Sequence, residues 1–482
     1  MRRLLLIAFV VGAPIAKAAE RSGERMNVLF IIADDLRTEL GCYGSEIAQT
    51  PCLDRFADRG VRFDRAYCQF PLCNPSRSSM LTGRRPTEVG VLGNRTWFGA
   101  TCSDAVSLPK HFRHHGYRTL RSGKVFHGGI DDTAAWDEGG EERYFGEGAT
   151  AQPPDESVRG PDGRLLGKDE RSDRIVVLPG DGSQTREHRI ADRAIAYLRE
   201  ASEHDADEPF LLMCGFNKPH SPLEAPQAYF DRFDLDSIPL PSDYEPRPTV
   251  PEGFPAGSIR RSNADLFIGR DSTPEAAREM IRAYLASSAW MDYNAGRVLD
   301  ALEESGLAES TIVVFWGDHG YQLGEKGKWS KAGSLWEQGL RVPTILYDPR
   351  AAGNGRACPR VVQTLDFYAT LCDLCELPTP DGVEGRSLAP FLDDPDTPSE
   401  EPAYSVWSED GKHVTGVALR TEHWRYAEFF GRGAGKMLTD PVADPAETVN
   451  LANDPAHAEL VARFSRMARD YATWWLPAEA AP

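Results

Sequence analysis

Asn27-Val28-Leu29-Phe30-Ile31-Ile32-Ala33-Asp34-Asp35 decides how this chain folds. Its uncharged, β-branched-rich run predicts a strand buried on both faces, the pattern of a central strand in a parallel sheet. The run stops at two carboxylates. Open α/β sheets keep their ligands at the carboxyl ends of strands, and hard divalent cations take oxygen ligands. Asp34 and Asp35 are therefore candidate metal ligands, with a solvated turn as the alternative reading.

Residues 209–216 and 311–316 are two more apolar runs with the same grammar. The first ends in Asn217-Lys218-Pro219-His220-Ser221-Pro222, where prolines restrict the backbone around a histidine that could serve as a positioned general acid, a simple turn histidine being the alternative. The second ends in Gly317-Asp318-His319-Gly320, a further ligand pair at a strand terminus. Shorter strands are expected at 61–67, 116–120 and 341–347. Helices are expected at 50–57, 108–114, 187–200, 274–304 and 365–374. This alternation predicts an α/β fold with a mostly parallel central sheet flanked by helices. In the long helix, Tyr284, Leu285, Ser288 and Met291 recur at helical spacing and read as core.

Between these elements, 128–184 and 223–270 are Gly-, Pro- and acid-rich stretches that read as pocket-shaping excursions. Lys124 and His127 share a turn and can face one side of it, although a surface lysine and a packing histidine fit the same pattern. The basic loop 324–331, which carries Lys331, is of a kind that is usually solvated. A Pro- and acid-rich linker at 381–402 separates a main domain, 25–380, from a smaller α+β domain at 403–482. That smaller part has alternating strands at 414–420 and 424–430 and an amphipathic helix at 456–475.

With 482 residues, 41% of them hydrophobic, the chain can bury a large core. The formal charge of −19 argues against nonspecific nucleic-acid binding and repels polyanions at long range. Within a Debye length of about 8–10 Å, however, a local cluster of arginine and lysine overrides that field. Met1-Arg2-Arg3, the apolar run 4–11 and Ala16-Lys17-Ala18 predict a signal peptide over 1–18, and hence export to a periplasm or the exterior. No stretch is long and apolar enough to span a membrane. Of nine cysteines, eight remain if Cys73 is set aside, and some of these could pair in an exported protein. Cys372-Asp373-Leu374-Cys375 reads as part of an amphipathic helix, not as a redox or zinc motif. Asn94-Arg95-Thr96 matches a glycosylation sequon.

Cys73-Asn74-Pro75-Ser76-Arg77, continuing through Leu81-Thr82-Gly83-Arg84, resembles position by position the signature of the type I sulfatase family. A structural cysteine in a Pro-Arg loop is the alternative. Ala33-Asp34-Asp35-Leu36-Arg37, Gly123-Lys124-Val125-Phe126-His127, Lys218-Pro219-His220, Asp318-His319-Gly320 and Arg159-Gly160-Pro161-Asp162-Gly163 are similar to motifs of its iduronate-2-sulfatase-like branch. The resemblance implies an alkaline-phosphatase-like fold and a sulfuric ester hydrolase acting on a sulfated sugar. It implies that a formylglycine-generating enzyme converts Cys73 to formylglycine. One divalent ion, calcium first, would be held by Asp34, Asp35, Asp318, His319 and residue 73. Lys124 and Lys331 would bind sulfate oxygens and Arg77 would fix residue 73. The aldehyde hydrate would attack sulfur to give a sulfo-enzyme, with His220 protonating the leaving sugar and His127 assisting sulfate release. Two other readings are a phosphate or phosphonate ester hydrolase of the same fold and a non-catalytic sulfoglycan-binding protein. Asn217 stands where iduronate-specific members are expected to carry histidine, a departure that weakens transfer of the exact sugar and leaves other sulfated glycans open.

Overall fold

The computed structural model describes residues 25–153, 164–203 and 208–477. The expected signal peptide and the Arg159-Gly160-Pro161-Asp162-Gly163 motif lie outside the described residues.

The opening run forms β1 (Asn27–Asp34), and all but its first residue are buried. It is followed along the chain by β2 (Val61–Tyr67), β3 (Arg118–Gly123), β4 (Ile175–Leu178), β5 (Phe210–Pro219) and β6 (Leu223–Pro226). Next come β7 (Thr311–Gly317), β8 (Arg341–Val342), β9 (Thr344–Tyr347) and β10 (Ala357–Gln363). The main sheet has the order β10-β2-β9-β7-β1-β5-β3, with β8 beside β2. β1 lies parallel to both β5 and β7, and β5 is parallel to β3, so their carboxyl ends share one rim. Side chains on the two faces of β1 enter two cores. Val28, Phe30 and Ile32 join one; Leu29, Ile31 and Ala33 join the other, beneath the helix Arg186–Glu203. Both faces are therefore desolvated, which is why the strand reads as an unbroken apolar run.

The long helix Pro274–Glu304 starts where expected, with Thr273 capping Ala276 N–H and proline at its first position. Tyr284, Leu285, Ser288 and Met291 are all buried. Beyond the main sheet, β11 (Ala403–Trp407), β12 (Gly416–Arg420), β13 (Arg425–Phe429) and β14 (Gly435–Thr439) form an antiparallel meander. The helix Ala458–Ala472 packs Val461, Phe464 and Ala468 on it, and this core is continuous with that of the main sheet.

Four expectations are corrected. The single strand at 341–347 is broken at Pro343, which lacks an N–H, into β8 and β9, and both run antiparallel to β2. The excursion 128–184 is not wholly irregular: β4 pairs with β6, which ties the two loop-rich stretches together. Residues 381–402 are not a bare linker, because they hold the helix Ala389–Asp393 and bury Leu388, Ala389 and Leu392. The basic loop 324–331 is buried rather than solvated. Lys326 donates to Asp243 and to the Ala446 carbonyl, and Lys328 to the Arg260 and Ser262 carbonyls. Among the described residues all nine cysteines are free, and no helix is long and apolar enough to cross a membrane.

Candidate active site

Ala33 sits opposite Phe216 of β5 and Gly317 of β7, so the acids after β1, the histidine loop after β5 and the Asp-His pair after β7 leave the sheet at one level. The Asp318 N–H donates to the Ala33 carbonyl at 3.1 Å, locking two of these turns together. Asp35 lies in the left-handed region at φ 63°, a conformation that aspartate tolerates better than most residues. Three hydrogen bonds hold it and its neighbour there. Asp35 N–H donates to Asp318 Oδ1 (3.0 Å), the Tyr284 hydroxyl donates to the Asp35 carbonyl (2.8 Å), and Arg37 N–H donates to the Tyr284 oxygen (3.0 Å).

Cys73 opens the buried helix Cys73–Thr82, which ends at Gly83 in the left-handed conformation, as the signature's glycine requires. Its Sγ lies 3.5 Å from Asp34 Oδ1 and 3.3 Å from His319 Nε2. One helical turn on, Arg77 is fully buried. It donates from Nε to Asp318 (2.9 Å) and from Nη1 to the Lys124 and Val125 carbonyls (2.6 and 2.9 Å). Arg77 thus joins the helix, the β3 turn and the β7 turn. The close approach of β3 and β5 here depends on glycine: a Cβ on Gly215 would stand 1.8 Å from the Lys124 carbonyl oxygen.

The acids Asp34 and Asp318 with Cys73 and His319 place one ligand atom each within 4.8 Å of one another. Asp34, Asp35, Cys73 and His220 form an overlapping group. His319 Nδ1 faces the Gly320 carbonyl at 3.0 Å and so must carry the proton. That leaves the Nε2 lone pair toward Asp35 (3.4 Å) and Asp318 (3.5 Å). Asp35 Oδ1 is buried with no hydrogen-bond partner. Three converging carboxylates, an orphaned oxygen and a free imidazole lone pair fit a divalent cation.

Every candidate from the sequence comes to this rim. Lys124 pairs directly with Asp34, and Lys331 donates to Asp35 at 2.7 Å. Both ammonium groups therefore lie against the acids, with the sulfate-binding role expected of them set one partner away. Burial pushes Asp34 upward, but Lys124, His220 and Arg77 outweigh it and hold the carboxyl well below the ordinary aspartate range. Burial, with the Asp34 charge, raises the Cys73 thiol well above its ordinary value, so as a thiol it is a poor nucleophile despite its place at a helix N-terminus. Burial and the Lys124 charge take His127 down to about 3, leaving it neutral. His220 donates from Nδ1 to the Ser221 carbonyl (2.7 Å), and its Nε2 lies 4.0 Å from Asp35. Burial lowers its pKa against the opposing pull of Asp35.

Beside these groups a cleft of about 450 Å³ opens, lined by Lys124, Phe126, His127, Tyr144, Asn217 and His220 among others. Sequence reasoning missed the residues that aim this machinery. Asp265, from the loop-rich stretch, lies 3.5 Å from Lys331. Buried Glu187 accepts from Asn217 N–H and Nδ2 (3.0 and 3.3 Å). For Tyr284 the signal present, helical spacing, pointed only to the core.

A model of the family described as "Sulfatase" matches residues 26–377, and one described as "N-sulphoglucosamine sulphohydrolase, C-terminal" matches 324–472. Iduronate 2-sulfatase of Homo sapiens is 28% identical, over 95% of this chain and 96% of that one. A solved sulfated-glucosamine complex, with D-glucosamine-2-N,6-O-disulfate as substrate, superposes with TM-score 0.71 at 23% identity, covering 93% of this chain and 97% of that one. Phosphonate monoester hydrolase of Agrobacterium radiobacter superposes with TM-score 0.72 at 21% identity, covering 94% and 96%. Both structures share the fold, an alkaline-phosphatase-like mixed, mostly parallel sheet followed by a C-terminal antiparallel sheet. With the family match running from β1 through the cysteine helix to the Asp-His turn and beyond, the chain belongs to the sulfatase family.

Proposed function

We propose that this chain is an exported sulfuric ester hydrolase that removes sulfate from a sulfated sugar, in the manner of the iduronate-2-sulfatase-like branch. The observation that supports it most is the placement of Cys73 Sγ between Asp34 and His319, with Arg77 fixing its helix to the Asp318 turn. Export rests on the N-terminal sequence pattern. The family relationship and the sulfated substrates of its relatives favour a sulfate ester over the phosphate and phosphonate esters that the fold also serves.

Asp34, Asp35, Asp318 and His319, with residue 73, would hold one divalent ion, calcium first. Bound there, the ion supplies Lewis-acid neutralisation of the sulfate charge. Conversion of Cys73 by a formylglycine-generating enzyme supplies an aldehyde hydrate in place of the thiol. Because Cys73 is only 3% exposed, that enzyme must reach it before the helix packs. The remaining work falls to side chains already in place. Lys124, paired with Asp34, and Lys331, paired with Asp35, would bring positive charge to the sulfate oxygens. Arg77 keeps the head of its helix in register with the strand ends. His220, whose Nδ1 donates to a carbonyl, would protonate the departing sugar oxygen from Nε2 as the imidazolium, the form that the nearby Asp35 favours against burial, and His127 would assist sulfate release on the other side of the cycle. The sugar occupies the cleft walled by Phe126, Tyr144 and Asn217.

The test combines mass spectrometry and turnover. The tryptic peptide holding residue 73 should be lighter than its cysteine form by the thiol-to-aldehyde change. The protein should hydrolyse an aryl sulfate faster than the matching aryl phosphate or phosphonate. Unmodified Cys73 in active protein, or dominant phosphonate turnover, would overturn the reading.

A further inference from the structure

A second pocket, of about 420 Å³, lies where the C-terminal meander meets the main sheet and shares no residue with the catalytic cleft. Arg62 and Asp64 reach it from β2, Arg341 from β8 and Arg420 from β12; Tyr43 and Val442 also line it. Arg65 lines it too but is saturated by the Pro359 carbonyl and by Glu422.

The other three guanidiniums are not saturated. Arg62 uses only Nε, on Asp64 Oδ1 (2.8 Å), and Arg341 only Nε, on the Asp64 carbonyl (2.6 Å). Arg420 is 4% exposed, donates through Nη1 to the Thr421 carbonyl, and its buried Nε has no hydrogen-bond partner. Among the described residues, both terminal nitrogens of Arg62 and Arg341 and Nη2 of Arg420 have no hydrogen-bond acceptor. The nearest carboxylate, Glu337, stands 3.7 Å from Arg420 and 3.9 Å from Arg341. It is already engaged by Arg425 and by the Tyr67 hydroxyl (2.8 Å). Arg62 and Arg341 both pack over the Tyr43 ring, at 5.5 and 5.9 Å, which limits their freedom to turn elsewhere. Four arginines thus line the pocket against two carboxylates, on a chain whose formal charge is −19. Spare donors from three strands, rather than one fork, suit an oxyanion that accepts from several directions. A carboxylate would be satisfied by a single guanidinium.

We propose that Arg62, Arg341 and Arg420 form a second oxyanion site, taking a sulfate group that is either free inorganic sulfate or a sulfate ester of a polyanionic glycan. The site stands apart from the reaction assigned to the cleft and holds whether or not that assignment does. The experiment is equilibrium dialysis of the full chain against radiolabelled inorganic sulfate and, separately, against a sulfated oligosaccharide with its desulfated counterpart as control. Two variants are compared with wild type. Arg62→Gln removes donors. Val442→Asp adds a negative charge at a rim position that is 67% exposed and breaks no buried bond. Each should weaken the affected binding by about tenfold, the worth of one charge-assisted contact, while turnover of a small aryl sulfate is unchanged. A loss seen with inorganic sulfate alone supports the free anion as ligand, and one seen with the oligosaccharide alone supports the ester. Wild-type isotherms for both probes in the Val442→Asp variant, which leaves all three arginines of the pocket in place, would overturn the proposal.

Discussion

Replacing Tyr284 by Phe tests whether the helix Pro274–Glu304 aims the metal-binding turn as well as packing the core. The hydroxyl donates to the Asp35 carbonyl at 2.8 Å and accepts the Arg37 N–H at 3.0 Å, bracketing an aspartate held at positive φ. The ring itself, stacked on Tyr321 at 5.8 Å, is retained by phenylalanine. Losing two buried hydrogen bonds costs about 2 kcal/mol of stability, which leaves a protein of ordinary stability folded. The functional cost should be separable. With its left-handed backbone unpinned, Asp35 no longer presents its carboxylate in register with Asp318 and His319, and removing such an outer support lowers metal affinity or activity by about 10- to 100-fold. Calcium affinity by calorimetry, aryl sulfate turnover at saturating calcium, and thermal denaturation would be measured on one preparation. Wild-type calcium affinity and turnover in a variant that has lost the expected stability would refute the argument.

Three further outcomes are expected. His220→Asn should slow hydrolysis of a sugar sulfate by about 100-fold or more, yet slow a nitrophenyl sulfate far less, because a good leaving group needs no proton; equal losses on both would remove His220 from the acid role. Gly215→Ala should fail to accumulate as folded protein, since a Cβ 1.8 Å from the Lys124 carbonyl cannot be relieved by a side-chain rotation, and a soluble, active variant would show that β3 and β5 can part. Burial lowers Lys328 to about 7 from the ordinary 10.5, so its folded form releases the proton more readily than the unfolded chain does. Its contribution is therefore complete above 10.5 and is lost as pH falls through 7, with wild type gaining about 1 kcal/mol per pH unit relative to Lys328→Met across that window. Parallel denaturant midpoints of the two proteins from pH 7 to 10 would contradict this.

Much of the frame was legible in the residues. Both faces of β1, β5 and β7 are desolvated, so burial had to be written as continuous apolar runs, and the abrupt appearance of Asp34, Asp318 and His220 marked where the sheet ends. The cysteine signature is local as well: Cys73 and Arg77 are one helical turn apart and Gly83 must end that helix. The antiparallel run of β9 was hidden, because strand direction depends on which neighbour is met and not on the strand's own pattern. The loop 324–331 looked solvated, since lysines bury only when partners distant in sequence supply acceptors, and Asp243, Ser262 and Asp265 come from a stretch with no periodicity.

The sequence by itself therefore determined the sheet, the rim where chemistry gathers and the identities of the groups on it, because these follow from short-range pattern and from a signature contained in one helix. Only the tertiary structure decided which cation faces which acid, that Tyr284 and Glu187 serve the site from within the core, and that three arginines from β2, β8 and β12 converge on a separate pocket. Such contacts are made between residues tens to hundreds of positions apart, and their energies depend on distance and burial that exist only once the chain has folded.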